Sequence, residues 1–350
     1  MTKLADEGLG VGDAEQPQRD RSGPDLGGLR RRVLEVESNS VLIATLALIL
    51  FIGVLHPNFL AWGQLKEIAQ NAAYVGIIAG GMAFLISMRE IDLSVGSMFG
   101  LSLIISALFI QHGMDPWLAA LLGILLGCGM GLLNAVLVQF IGIPAIVATL
   151  ATLSMFRGLS QALSDGEQVT GLPAKDSFFT FVGGDFAGLP VSVWVLILTA
   201  IGLTAVLRFT PYGYRVRSIG SNPDAATFSG ISIPRVRVQT LVLVGGLSGL
   251  SGMLGLAFFV SGDPNIGSGF ELQAIAAAVI GGTPLRGGSA TVVGAVLGSI
   301  LLSAVNSGLA YFNVPVNWSS FATGAVILAA VALDSLIRGR RRHRRTGLDL

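Results

Sequence analysis

Charge is scarce in this 350-residue chain: Asp, Glu, Lys and Arg make up only 12% of it, against about 25% in an ordinary soluble domain. Lysine is nearly missing. Lys3, Lys66 and Lys175 are the three, and none follows a glycine, so the chain holds no Walker A loop and cannot hydrolyse nucleotide by that route. Histidine is equally thin. His56, His112 and His343 stand far apart with no metal-ligand spacing, so no metal site is expected. Cys128 is the single cysteine, which excludes an intrachain disulfide. Neither a Ser-His-Asp nor a Cys-His grouping can be assembled from what remains. An enzyme active site is therefore not expected.

What the chain has is apolar length. Apolar residues make up 52% of it, 47 residues are glycine, and the mean hydropathy is +0.72. Runs near 20 apolar residues recur throughout, which is the length a helix needs to cross a bilayer. The expected fold class is an all-α polytopic membrane protein of about ten transmembrane segments, some broken or re-entrant. They fall near 39–55, 66–88, 93–111, 117–140, 144–163, 190–208, 237–261, 271–282, 290–311 and 317–337. Residues 1–38 lack apolar periodicity and read as a disordered cytoplasmic tail. The transmembrane permease-like body covers 39–337, and 338–350 is a basic cytoplasmic tail.

The few cations are clustered: six in 1–40, five in 208–237 and six in 338–345. The positive-inside rule puts all three stretches in the cytoplasm. Parity agrees, with six segments before the middle cluster and four after it. A bilayer explains this clustering better than nucleic acid does, and no nucleic-acid partner is expected. The longest external loop, 164–190, has four acidic residues against one lysine and carries Phe178, Phe179, Phe181 and Phe186, which fit interfacial packing or a ledge for an external partner.

Within the basic stretch 208–237, residues 222–230 carry the signals of a short complete helix. Asn222 can cap it, Pro223 suits its first position, Asp224 complements its N-terminus and Gly230 suits its stop. Such a helix on a basic loop has little core of its own and reads as a knob offered to another protein. Phe228 is the expected anchor, flanked by Arg215 and Arg217, with Ala225 and Ala226 completing the helix.

Glycines at 123, 127 and 131, with the pairs 245/249 and 294/298, form small-xxx-small ridges that let helices approach closely within a subunit or between subunits. Segment 271–282 is too short to cross comfortably, and a charged break joins 66–88 to 93–111. Interrupted helices of this kind point to a transport route. Arg89, Glu90 and Asp92 share that break, which is expected either near the cytoplasmic face or within the protein with Arg89 and the carboxylates partly compensating one another. Asp92 and Ser94 are candidates either for capping the next helix or for lining a gate. Arg157 either snorkels outward or meets substrate. Asn134, Asn306 and Thr149 are further pathway candidates, since an amide in lipid must face protein or water.

Four stretches carry a resemblance to a known family. They are Ile91-Asp92-Leu93-Ser94-Val95-Gly96-Ser97; Ile143 to Leu150 with Arg157-Gly158; Ile219 to Ile231; and Ile280-Gly281-Gly282-Thr283 with Gly287-Gly288, Gly294 and Gly298. Over about 40–337 the chain resembles the permease subunits of carbohydrate class-2 ABC importers, the ribose, xylose and galactose type. It departs from their pattern at Ser221, where glycine is frequent, and at Arg286 in a small-residue turn.

The resemblance implies a type II importer fold like that of cobalamin-importer permeases, in a bacterial inner membrane with both termini cytoplasmic. It implies a cytoplasmic ABC ATPase docked on 222–230, a periplasmic or lipoprotein sugar-binding protein, and a second permease copy, identical or not. ATP and Mg would belong to the ATPase, leaving no cofactor on this chain. The expected function is ATP-driven import of a monosaccharide. Open alternatives are an ABC permease for branched-chain amino acids, nucleosides or an autoinducer-like furanone, and an ion-coupled carrier.

Overall fold

The structure is a computed structural model that describes residues 26–315 together with residues 318, 321, 324, 325 and 328. It is helical almost throughout. The helices are α1 (Leu26–Leu55), α2 (Trp62–Ser87), α3 (Val95–Gln111), α4 (Pro116–Val136), α5 (Ala145–Leu163) and α6 (Ser177–Val182). There follow α7 (Val191–Phe209), α8 (Pro211–Ser221), α9 (Pro223–Phe228), α10 (Ile233–Phe259), α11 (Phe270–Ile280) and α12 (Val292–Tyr311). Six helices among the described residues are long and apolar enough to cross a membrane, those based on α2, α4, α5, α7, α10 and α12. Ser40–Leu55, α3 and α11 are shorter apolar helices. This is a polytopic helical membrane protein.

Local chemistry sets several of the starts. Asp115, Thr210 and Asn222 each precede a proline, and each side-chain oxygen accepts a backbone N–H from the first turn of α4, α8 and α9 respectively. Proline at the first helical position has no N–H to leave unpaired and its φ is already helical. Thr291 caps α12 in the same way.

The core is built around α2, whose residues 72–87 are buried without interruption. Helices α7, α10, α11 and α12 surround it. The glycine ridges meet one another inside this one subunit. A Cβ on Gly127 would strike the carbonyl oxygen of Gly245, one on Gly131 that of Leu241, and one on Gly249 that of Gly123. Gly298 presses likewise on Ala277, and Gly294 on Gly281, which fastens α11 to α12. Lipid supplies no hydrophobic drive between helices, so close backbone packing has to do the joining.

The structure corrects several boundaries. Helix α1 starts at Leu26, inside the stretch 1–38 expected to be disordered, and Leu29 to Glu37 are mostly straight-chain helix formers that favour extending it. The stretch 208–237 is not a basic loop with one helix: α8 occupies 211–221, and α10 begins at Ile233. Prolines 211 and 234 mark both starts. The loop 164–190 contains α6 and a two-residue antiparallel pair, β1 (Asp185–Phe186) with β2 (Leu189–Pro190). Phe178 and Phe179 are buried there, whereas Phe181 and Phe186 are exposed. Residues 1–25, most of segment 317–337 and the basic tail 338–350 lie outside the described residues.

Candidate functional site

The charged break between α2 and α3 organises the site. At Arg89 the backbone turns left-handed, with φ 66°, and the chain leaves α2 for a short non-helical passage. Beyond it Asp92, Ser94, Asn134 and Thr152 are fully buried and joined to one another. The Asp92 carboxylate accepts from the Ser94 N–H at 2.8 Å and from the Ser94 hydroxyl at 2.6 Å. Asn134 of α4 donates to Asp92 Oδ2 at 3.1 Å and to Ser94 Oγ at 2.8 Å. Thr152 of α5 then donates to Asn134 Oδ1 at 2.8 Å. One buried polar chain thus ties the break to two spanning helices. Asp92 caps the entry to α3 from two residues upstream of Ser94, the residue at the N-cap position.

Arg89 does not compensate the neighbouring carboxylates as expected. Its guanidinium points to the end of α8, donating from Nε to the Gly220 carbonyl at 2.8 Å and from Nη2 to the Ser221 carbonyl at 3.0 Å. A helix C-terminus presents unpaired carbonyls and partial negative charge, which suits a cation. Glu90 pairs instead with Arg237 in the first turn of α10, and Arg237 also donates to Gln139 at 2.6 Å. Burial pushes the Glu90 carboxyl above its ordinary pKa, and the Arg237 guanidinium pulls it back. Adjacent residues of the break therefore hold both ends of the segment that carries α9.

That segment is exposed where a partner could reach it. The Asn222 side chain accepts from the Ala225 N–H at 3.1 Å, and Gly230 closes the turn with φ 78°. Ala226 is the buried foot of α9, while Asp224, Ala225 and Phe228 face outward. Phe228 is 92% exposed, an extreme value for a large aromatic. Arg215 is exposed on α8, and Arg217 is half-buried with Nε on the Gly213 carbonyl.

The other pathway candidates lie apart. Thr149 is buried one turn below Thr152, whose hydroxyl also reaches the Thr149 carbonyl. Arg157 turns inward and donates to the Ile266 carbonyl at 2.9 Å, tying α5 to the non-helical passage before α11. Asn306 lines a separate cleft among α2, α11 and α12. Thr152 and Arg237 join the site without having been expected there from the sequence. A hydroxyl in an apolar helix does not reveal its partner, but the charge at 237 beside an apolar run was a readable signal. Exposed Arg286 stands near the membrane break without joining the buried network.

The four stretches that carried the resemblance converge here. A Cβ on Gly220 would collide with the Ser87 carbonyl and the Gly288 N–H, and Gly288 itself donates to Ser87 at 2.8 Å. Residues Gly142 to Ile146 face Arg89, Glu90, Ile91 and Arg237 across a cavity of about 410 Å³. Comparison with known families fits this convergence. The family model described as branched-chain amino acid transport system / permease component matches residues 64–331. The chain belongs to this family. It is accordingly a transport subunit, and the resemblance to class-2 carbohydrate importer permeases holds.

Relatives within the family include the ribose import permease protein RbsC of Bacillus subtilis, 38% identical over 287 residues, covering 82% of this chain and 89% of that protein. The L-arabinose ABC transporter permease protein AraH of Azospirillum brasilense is 29% identical over 337 residues, covering 95% and 99%. The autoinducer 2 import system permease protein LsrC of Yersinia enterocolitica is 34% identical over 301 residues, covering 85% and 82%. No solved structure matches the chain.

Proposed function

We propose that this chain is the membrane-spanning permease subunit of an ATP-driven importer for a monosaccharide. The relatives that handle ribose and L-arabinose support a pentose-sized cargo. The substrate would arrive from an external binding protein, periplasmic or lipid-anchored. A cytoplasmic ABC ATPase would bind α9 and hold the ATP and Mg, leaving this chain without a cofactor. A second permease copy, identical or not, would complete the route. The body would have ten segments of type II importer character, with 317–337 as the tenth, in the inner membrane with both termini cytoplasmic.

The observation that carries the reading is the exposure of Phe228 on a helix capped at both ends. A small rigid element with an exposed aromatic suits force transmission across an interface, where a few anchors carry most of the binding energy. ATP-driven closure of the motor would move α9, and the permeases would switch between outward- and inward-facing packings.

The test is purification of the tagged permease in mild detergent. An ABC ATPase should accompany the native protein and be lost with Asp224→Lys or Gly230→Val, while membrane insertion is retained. An ATPase retained by both variants would sink the docking assignment. A second reading, import of an autoinducer-2-like furanone, is favoured by the LsrC relative, and uptake of labelled ribose against that solute separates the two.

A further inference from the structure

The cleft that contains Asn306 is separate from the break. Its volume is about 220 Å³, and three amides (Asn71, Gln273, Asn306) and three hydroxyls (Ser299, Ser303, Ser307) line it. Asn71 is exposed at the head of the otherwise buried run of α2, so the polar opening lies against the most protected helix of the protein.

The side chains of Asn71, Gln273 and Ser307 have no hydrogen-bond partner among the described residues. A polar group withdrawn from water without a partner is costly, so the half-buried Gln273 and Ser307, with Asn71 at the opening, are disposed to hold water or a ligand. Ser299 and Ser303 send their protons to the carbonyls of Val296 and Ile68, at 2.8 and 2.9 Å, which leaves their oxygens to accept. Phe270 adds an apolar ring to the lining, braced against Phe99 with centroids 5.1 Å apart.

The backbone here is of the kind that lines transport routes. Helix α11 is only 11 residues long and follows Gly269, in a left-handed conformation, at the end of a non-helical passage. Non-helical backbone at membrane depth is tolerated only against protein or a water-filled cavity, and broken helices in transporters mark substrate sites.

We propose that this cleft is a binding station for one uncharged polyhydroxylated ring on the route through the permease. The proposal rests on the monosaccharide reading and names the residues that would hold the sugar. Amides and hydroxyls supply both donors and acceptors, as sugar hydroxyls do, and Phe270 offers a face for ring C–H groups. No charged side chain lines the cleft. A zwitterionic amino acid or a phosphorylated sugar would find no counter-charge. The volume is also below the roughly 300–1,000 Å³ of drug-sized sites, which fits a single ring and not an oligosaccharide.

The test uses the whole importer in proteoliposomes, with its ATPase and binding protein, and labelled ribose as the probe. Asn71→Leu and Gln273→Leu should each lower uptake by about tenfold, the worth of one well-made hydrogen bond to a buried polar group, with ATPase stimulation by the loaded binding protein preserved. A second measurement guards against misfolding. Gln273→Cys in a Cys128→Ser background should react with a water-soluble methanethiosulfonate, and more slowly during turnover with ribose. Unchanged uptake in the Asn71/Gln273 double variant, or a cysteine that does not react, overturns the binding station. A native importer that takes up no monosaccharide overturns the functional reading on which it rests, so the two failures are distinguishable.

Discussion

The Arg89 guanidinium donates to the Gly220 carbonyl, joining the charged break after α2 to the end of α8, 131 residues away in sequence. Its second bond, to Ser221, falls on the residue immediately before the Asn222 cap of α9. Any displacement of α9 is thus felt at Arg89. Asp92, three residues on, anchors the buried chain that runs through Asn134 to Thr152. An exposed helix on the surface and a polar network inside the bundle meet at one short segment.

Arg89→Ala should weaken coupling more than it weakens the fold. Hydrogen bonds from a charged donor contribute about 1.5–3 kcal/mol when well made, and the exposed side of this pair reduces that. The expected outcome is a large drop in sugar uptake per ATP hydrolysed, with ATPase co-purification retained. Arg89→Lys should restore only part of it, because one ammonium cannot reproduce the fork to two carbonyls. Parallel uptake and phosphate-release assays read the ratio.

Asn134→Leu should destabilise the subunit by about 1–3 kcal/mol, since it strips Asp92 and Ser94 of a buried donor and leaves the Thr152 hydroxyl only its longer bond to the Thr149 carbonyl. Thr152→Val removes only the outer bond and should lie at the low end of that range. Thermal unfolding in detergent orders the two; equal stability to the native protein would refute the network.

Gly127→Leu and Gly131→Val should separate α4 from α10, because their side chains would enter backbone atoms of the facing helix. Overpacking of this kind costs about 1–3 kcal/mol or more. Gly129→Ala is the control: nothing stands near its added Cβ, so it should be neutral or slightly stabilising. Melting temperatures of the three variants give the comparison.

The Lys66–Asp185 ion pair, by contrast, should matter little. Both side chains are partly exposed, at 27% and 45%, and such pairs contribute about 0–1 kcal/mol. Lys66→Met should leave the melting temperature within a degree or two and uptake unchanged. A large loss would mean that the pair does more than tie the loop to α2.

Sequence alone determined the class of protein and the short helix α9. Apolar runs of spanning length have no other stable home than a bilayer, and the signals of α9 are local: a cap at 222, a proline at 223 and a glycine at 230 act within one turn of each other. The glycine spacing was equally plain, but its partners were not. Only the folded bundle shows that the ridge at 123, 127 and 131 meets 245 and 249 within the subunit, because spacing reports a smooth helix face and never names the opposing one. Tertiary structure also decided where Arg89 points and which carboxylate Arg237 takes. Those pairings span more than a hundred residues, and they are set by where the backbone turns at the break and at the end of α8, which no local pattern of residues encodes.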